Sequence, residues 1–493
     1  MKEKLHTSPF IRILPIFTLG IILGYQLPTT PLAPFIVALF TLLVVAIFVR
    51  KSIIADYTLP LFILLAGFTL TQTKNRSHIF PISNKKIFTK ATIISPVTNS
   101  SCNLECTNGL RAKTYFYNCN TKYLEKGDKI EFISKFSKIK NSENTIFNYQ
   151  KHMKTQYIGY TCSINKYKIT KHQTLACKTH NWISNQLYNT GIEKETADIL
   201  IAMLLGEKSQ LDYETKQNYI NAGAIHILAV SGLHTGIIYL LIYFVIHIIF
   251  RVNKNSKKFL IASLSLLWIY AIITYLPSSI CRASLIISFA LISKQIKRPF
   301  STYNAIAASA FIILLFDPNS LFTVGFQLSY AAYLSIIYFY PKIRSLFKTN
   351  NYITGKLYDI LTLSIVAQMG TIPLCALYFG QIATYSILTN VLIAFLIPIL
   401  MYITIFSILV SLIHIDITSY LLNYLVKFIN GVTSEIANLS GALIHVHINT
   451  IQTILLYSIL ILVFKMLWFK KKNLVFYTLF SILLVINSFT IFS

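Results

Sequence analysis

Long apolar runs, separated by short connections rich in Lys and Arg, constrain this chain more than any other feature. Candidate membrane spans fall at 10–26, 33–50 and 57–73. After a polar interval they resume at 225–250, 259–276, 279–296, 302–316, 321–340, 360–379 and 385–413, and two more close the chain at 449–467 and 474–492. Each approaches the roughly 20 residues that cross a bilayer as a helix. With 54% hydrophobic and only 12% charged residues among 493, and a mean hydropathy of +0.59, no soluble globular class fits. The expected fold class is an all-α polytopic membrane bundle with an inserted extracytoplasmic β-barrel domain, placed in the cell inner (cytoplasmic) membrane. The first apolar segment follows a short basic start without a small-residue cleavage site, so it reads as a retained span rather than a signal peptide.

The basic connections set orientation. Arg50 and Lys51, then the clusters at 251–258, 294–298 and 342–348, all fall on one side if the chain starts inside, as the positive-inside rule requires. Past 379 the alternation fails. Placing Lys470, Lys471 and Lys472 inside requires either a broken or re-entrant helix near Pro398 or a crossing within 418–445, and the sequence leaves both open. Anchoring explains part of the formal charge of +27, from 44 Lys and Arg against 17 Asp and Glu. A path or surface for a polyanion is the other source, since cations gain there by counterion release.

Residues 74–177 differ in kind. The stretches KIFTKATII, LRAKTYFY, DKIEFISKF and YIGYTCSI are β-rich and separated by Asn, Gly and Asp turn signals, so they predict a small barrel or sandwich of about 100 residues. Tyr115, Phe116 and Tyr117 run consecutively, so at least one faces outward, either to stack on bases or as surplus from the core. Cys102, Cys106, Cys119 and Cys162 are disulfide candidates in an oxidising compartment. Their spacing lacks the tight pairs of a zinc site. Residues 178–224 read as amphipathic helices and a polar arm. The remainder divides into three spans at 1–73, a transmembrane domain at 225–445 and two closing spans at 446–493.

One stretch, MLLGEKSQLDYETKQNYINAGAIHILAVSGLHTG at 203–236, concentrates Gly, amide, Ser and His residues that hydrocarbon normally excludes. Such groups persist only when buried against helices or lining a wet path. The AGAIHILAVSGLHTG segment resembles the ComEC family of competence proteins, as do GFQLSYAA and AQMGTIPLCALYFGQIATYSILTN further on, so the likeness runs from about 190 to 413. That resemblance implies an inner-membrane channel admitting one strand of DNA, with an OB-like barrel near 74–177. FNYQKHMKTQYIGY is similar to the barrel's usual end, although the customary Asn-Pro before its Phe is missing. Many members append a metallo-β-lactamase-like nuclease domain. HVHINT lacks that motif's acid and third His, so no such domain and no metal are expected here.

The candidate path-lining residues are Asn221, His226, Ser231, Gly232, His234, Arg282, Gln327, Gln368 and Asn390. Amides, unlike carboxylates, do not repel a polyanion; individually each also serves as glue between helices. Arg282 lies several residues into its span, where it either snorkels to the interface or meets phosphate bidentately. Ser231 and His234 share a helix face and faintly resemble the Ser and His of an intramembrane hydrolase, but Ala229 stands where such enzymes carry Gly, and their His comes from a separate helix. No enzyme activity and no cofactor are expected, and no GxxxxGK[ST] motor loop occurs. The expected function is translocation of single-stranded DNA, the alternative being transport of another anionic polymer or lipid-linked precursor. Expected partners are single-stranded DNA, the lipid bilayer, and a separate DNA receptor, nuclease and cytoplasmic ATP-driven motor, with a homo-oligomer left open.

Overall fold

The computed structural model describes residues 8–27, 52–77, 86–139 (with gaps at 96, 98–99, 118 and 120–123), 149–171, 174–347, 351–412 and 418–469, together with Phe35 and Ala38. The expected spans at 33–50 and 474–492 lie outside the described residues. The chain forms two compact units. The first comprises Met1–Asn185 and Gly232–Thr323, and the second Gln186–Ser231 and Val324–Ser493.

In the first unit, α1 (Pro9–Gln26) and α2 (Ser52–Ser77) cross at small residues. A Cβ on Gly20 would lie 2.1 Å from the Leu64 carbonyl oxygen, and one on Gly67 2.5 Å from that of Phe17. The backbones therefore touch, the packing that small residues permit in apolar surroundings.

Strands β1 (Ile87–Ile93), β2 (Ser101–Cys106), β3 (Arg111–Phe116), β4 (Lys129–Ser134), β5 (Phe136–Lys138), β6 (Ile158–Ile164) and β7 (Tyr167–Lys171) form one sheet, with α3 (Tyr149–Thr155) before β6. The strand order is β5-β6-β3-β2-β1-β4-β7. The β3–β6 ladder is parallel, with Thr114 opposite Cys162, and the others are antiparallel. This order is open, so the expected barrel is corrected to a mixed sheet. Alternate residues point inward, as the two-residue period of a strand demands. Leu104, Ala112, Ile130 and Ile164 fill the core.

The cysteines belong to that core. Cys102, Cys106 and Cys162 are buried and all seven cysteines are free, which corrects the expected disulfide among Cys102, Cys106, Cys119 and Cys162. Their positions explain it: inward-facing thiols act as small apolar side chains. Cys162 Sγ instead shares a 3.1 Å hydrogen bond with Thr114 Oγ1, and Cys119 Sγ donates to Asn165 O at 2.8 Å.

Helix α4 (Leu175–Asn189) carries the chain from the first unit into the second, where α5 (Lys194–Leu205) and α6 (Tyr213–Asn221) follow. The first unit resumes with α7 (Gly232–Tyr243), which continues as a π-helix at Phe244–Ile249, then α8 (Lys257–Ile273), α9 (Ser278–Gln295) and α10 (Thr302–Phe316). Phe10 and Phe17 of α1 pack on Phe311 with centroids 5.6 and 4.8 Å away, and Asn304 Oδ1 accepts from Phe10 N.

The rest of the second unit is α11 (Val324–Arg344), α12 (Tyr352–Phe379), β8 (Gln381–Ala383), α13 (Ser386–Ile393), α14 (Leu396–Ser411), α15 (Ser419–Ala437), β9 (Leu443–His445) and α16 (Thr450–Phe469). Among the described residues three helices are long and apolar enough to cross a membrane: α1, α7 with its π extension, and α12. The pair α13–α14, bent by 48°, is a fourth candidate. The other expected spans within the described residues are helical as well. Some are shorter, and others carry interior polar groups, as α9 does with Arg282 and its serines.

Candidate functional site

The arm is built from α5 onward. Residues Thr196–Leu205 of α5 are all buried, and the helix stops at Gly206, whose φ of +81° suits a glycine cap. Lys208 follows; burial, and then the neighbouring Lys216, hold its ammonium below the ordinary lysine range. Asp212 caps α6 by accepting from Glu214 N and Thr215 N at 3.0 and 3.4 Å. Asn221 closes that helix, its Oδ1 accepting from Gln217 Nε2 at 2.9 Å.

Gly223 then turns the chain with φ +72° against α13, where Thr389 Oγ1 donates to Ala222 O at 2.8 Å. That contact brings the end of the arm to the helix that carries Asn390. The sequence predicted a helix from 225, but residues 222–231 are a non-helical link. Within it Leu228 and Val230 are buried and His226 is exposed. Ser231 immediately precedes α7.

In the first unit, Gly232 and Arg282 come together where α7 packs on α9, and His234 is buried on α7. A Cβ on Gly232 would lie 3.8 Å from Ala283 Cβ and 3.9 Å from Arg282 Nη2. His234 is 1% and Arg282 7% exposed. The guanidinium is therefore enclosed by protein rather than extended to a surface, which decides against snorkelling. Thr235, Ser263, Ser284 and Ser288 are also buried on α7, α8 and α9.

The remaining candidates belong to the second unit. Gln327 Oε1 accepts from Tyr378 Oη at 2.6 Å, a helix-to-helix bond between α11 and α12. Gln368 Nε2 on α12 is buried with no hydrogen-bond partner among the described residues. His445 lies opposite Gln381 in the β8–β9 ladder, and the His447 ring packs on Gly380; both histidines are exposed.

One feature of the second unit escaped the sequence reading. A cavity of about 770 Å³ is lined by Glu195, Asp198, Asp212, Glu214, Tyr219 and Asn430, among others. Its signal was present: six of the 17 acidic residues fall between Glu193 and Glu214. Burial raises the Asp198 carboxyl above the ordinary range, opposed by the hydrogen bond that Tyr188 Oη donates to it at 2.6 Å.

Residues 203–471 match the family model described as Competence protein. The chain belongs to this family. The match takes in the arm, the link and α7–α16, and so reaches beyond the region where the sequence likeness was legible; the β-sheet precedes it. ComE operon protein 3 of Bacillus subtilis (strain 168) is 27% identical over 252 residues, which is 50% of this chain and 31% of that protein. An uncharacterized protein of Aquifex aeolicus (strain VF5) is 25% identical over 243 residues, 48% of this chain and 55% of its own length. The chain thus spans about a third and about half of these curated relatives. No solved structure matches it.

Proposed function

We propose that this competence-family chain is an inner-membrane channel that passes single-stranded DNA inward during natural transformation. The burial of Arg282 beside Gly232 carries this reading. A guanidinium enclosed in an apolar helical unit is costly to desolvate, and its planar fork suits phosphate oxygens. The formal charge of +27 favours a polyanion over a neutral substrate.

The sheet domain supports the same reading. Its β4 and β5 are consecutive pieces separated by Lys135, one pairing with β1 and the other with β6. With the parallel β3–β6 ladder, that pairing resembles the strand arrangement of an OB-like domain, here as an open mixed sheet rather than a closed barrel. Tyr115 and Tyr117 are exposed while Phe116 is buried, so two aromatic faces are available for stacking on bases. We assign the chain no reaction of its own. A DNA receptor, a nuclease and an ATP-driven motor are the partners that this reading implies.

The test is uptake of labelled DNA, with surface binding measured in parallel. Arg282→Lys retains part of the uptake, and Arg282→Glu lowers it by about 10-fold or more, the scale of a lost charged hydrogen bond. Ser231→Ala leaves uptake intact. Full uptake by Arg282→Glu together with loss in Ser231→Ala would replace the channel by a hydrolase acting through Ser231 and His234.

A further inference from the structure

Helices α11, α12 and α16 of the second unit share one basic end. Arg344 pairs with Asp359, and Tyr340 Oη donates to the same carboxylate at 3.1 Å. The Lys342 ammonium sits 5.2 Å from the Phe464 ring centroid, which brings the far end of α16 to that level. Lys356 and Lys465 belong to the same ends of α12 and α16. Midway, Tyr457 Oη donates to Gly370 O at 2.6 Å, so α12 and α16 run antiparallel. From Asp359 to Phe379, α12 rises about 30 Å at 1.5 Å per residue, the thickness of the hydrocarbon layer. Gln381 therefore lies on the face opposite the basic ends.

Strand β9 returns the chain to the same place. Gln381 pairs with His445, Ile382 with Ile444 and Ala383 with Leu443. Thr384 Oγ1 donates to Gly441 O at 2.6 Å and Tyr385 Oη to Ser440 O at 3.1 Å. Whatever lies between Thr384 and Ala442 leaves and re-enters one face, and so crosses the bilayer an even number of times.

Helix α15 is not one of those crossings. Asn423, Lys427 and Asn430 occupy its middle. Lys427 forms an exposed ion pair with Glu193 at 2.5 Å, Asn423 Oδ1 accepts from Glu193 N at 3.1 Å, and Asn430 Nδ2 donates to Glu195 at 2.8 Å. Spanning would carry this exposed pair to mid-bilayer, where a single charge costs at least about 2.5 kcal/mol. The bent α13–α14 pair could contribute only one crossing, and one is odd.

We propose that residues 384–442 dip into the bilayer and return to the face they left, with α15 lying on that face against lipid. The outward edge of α15 fits the interface: Tyr420 is 83% exposed, followed at helical spacing by Tyr424 and Phe428, with Leu421 beside them. Aromatic side chains favour the headgroup level, where an apolar ring and a polar tip are both satisfied. The 48° bend between α13 and α14 is compatible with such a return.

Single cysteines at Tyr420, Ser440 and Tyr352 in the full chain test this in sealed membranes with an impermeant maleimide. Tyr420→Cys and Ser440→Cys react from one side, and Tyr352→Cys from the other. Reaction of the first two from opposite sides would overturn the proposal. If a cysteine-free background does not fold, the natural background serves, with labelled peptides identified by mass spectrometry. A nitroxide on Tyr424→Cys supplies the second measurement. It should lie about 5–10 Å into the headgroup boundary. A position at the bilayer centre, or no contact with lipid, refutes the seating of α15. Neither measurement involves DNA, so failure here leaves the channel reading intact and the converse also holds.

Discussion

At the scale of single residues, Gly223 and Gly236 separate two kinds of glycine within one motif. Gly223 holds φ +72°, and a Cβ there would meet Ser386 Cβ at 2.2 Å and Ala383 Cβ at 3.0 Å. Gly236 is helical, with nothing within 4 Å of its missing Cβ. Gly223→Ala should therefore lower stability by about 1–3 kcal/mol through strain and overpacking, whereas Gly236→Ala is tolerated. Thermal unfolding of the two variants in detergent checks this, and equal melting temperatures would refute it. From sequence the two glycines read alike, because the difference depends on α13, which lies some 160 residues away. Arg282 was legible as a charge in an apolar run. Its enclosure was not, because that depends on how α7 and α9 meet.

At the scale of elements, the sheet shows what strand patterning conveys and what it conceals. The stretches around β1, β3, β4 and β6 were read correctly because Ile, Phe, Tyr and Thr dominate them. Strand β2, SCNLEC, was missed: its inward positions are Cys102, Leu104 and Cys106, and the cysteines drew attention as sulfur chemistry rather than as apolar side chains. The β9 strand was hidden for another reason. Three residues cannot show a period, and only the ladder with β8 defines it. The thiols carry the prediction at this scale. Burial raises Cys102 and Cys106 to about 12 and Cys162 to about 11, so thiolate is scarce at neutral pH. Alkylation of folded protein at pH 8, read by mass spectrometry, should reach the partly exposed Cys119 well before these three. Equal rates would show that the sheet opens or packs otherwise.

At the scale of the whole molecule, the first unit joins its sheet domain to its helices through a few polar groups. Tyr157 Oη donates to Asp317 Oδ1 at 2.7 Å and accepts from Asn319 N at 3.4 Å. Asn319, fully buried, donates to Asn75 Oδ1 at 3.2 Å. Burial and the adjacent Asp317 carboxylate push the Tyr157 phenol up, so it stays a donor at any ordinary pH. Tyr157→Phe should cost about 1–3 kcal/mol, the penalty for leaving buried partners unsatisfied, and should speed proteolysis between the sheet and α4. An unchanged melting temperature would remove the latch from the account. The two units also interleave along the chain, and this has a consequence for synthesis. The arm at Gln186–Ser231 emerges before the 92 residues of Gly232–Thr323, yet it packs with the helices from Val324 onward. At ribosomal rates that interval is about 5–20 s. For that time the polar arm and its link await the helices that will bury them, and whatever shields them on the nascent chain decides how much protein matures.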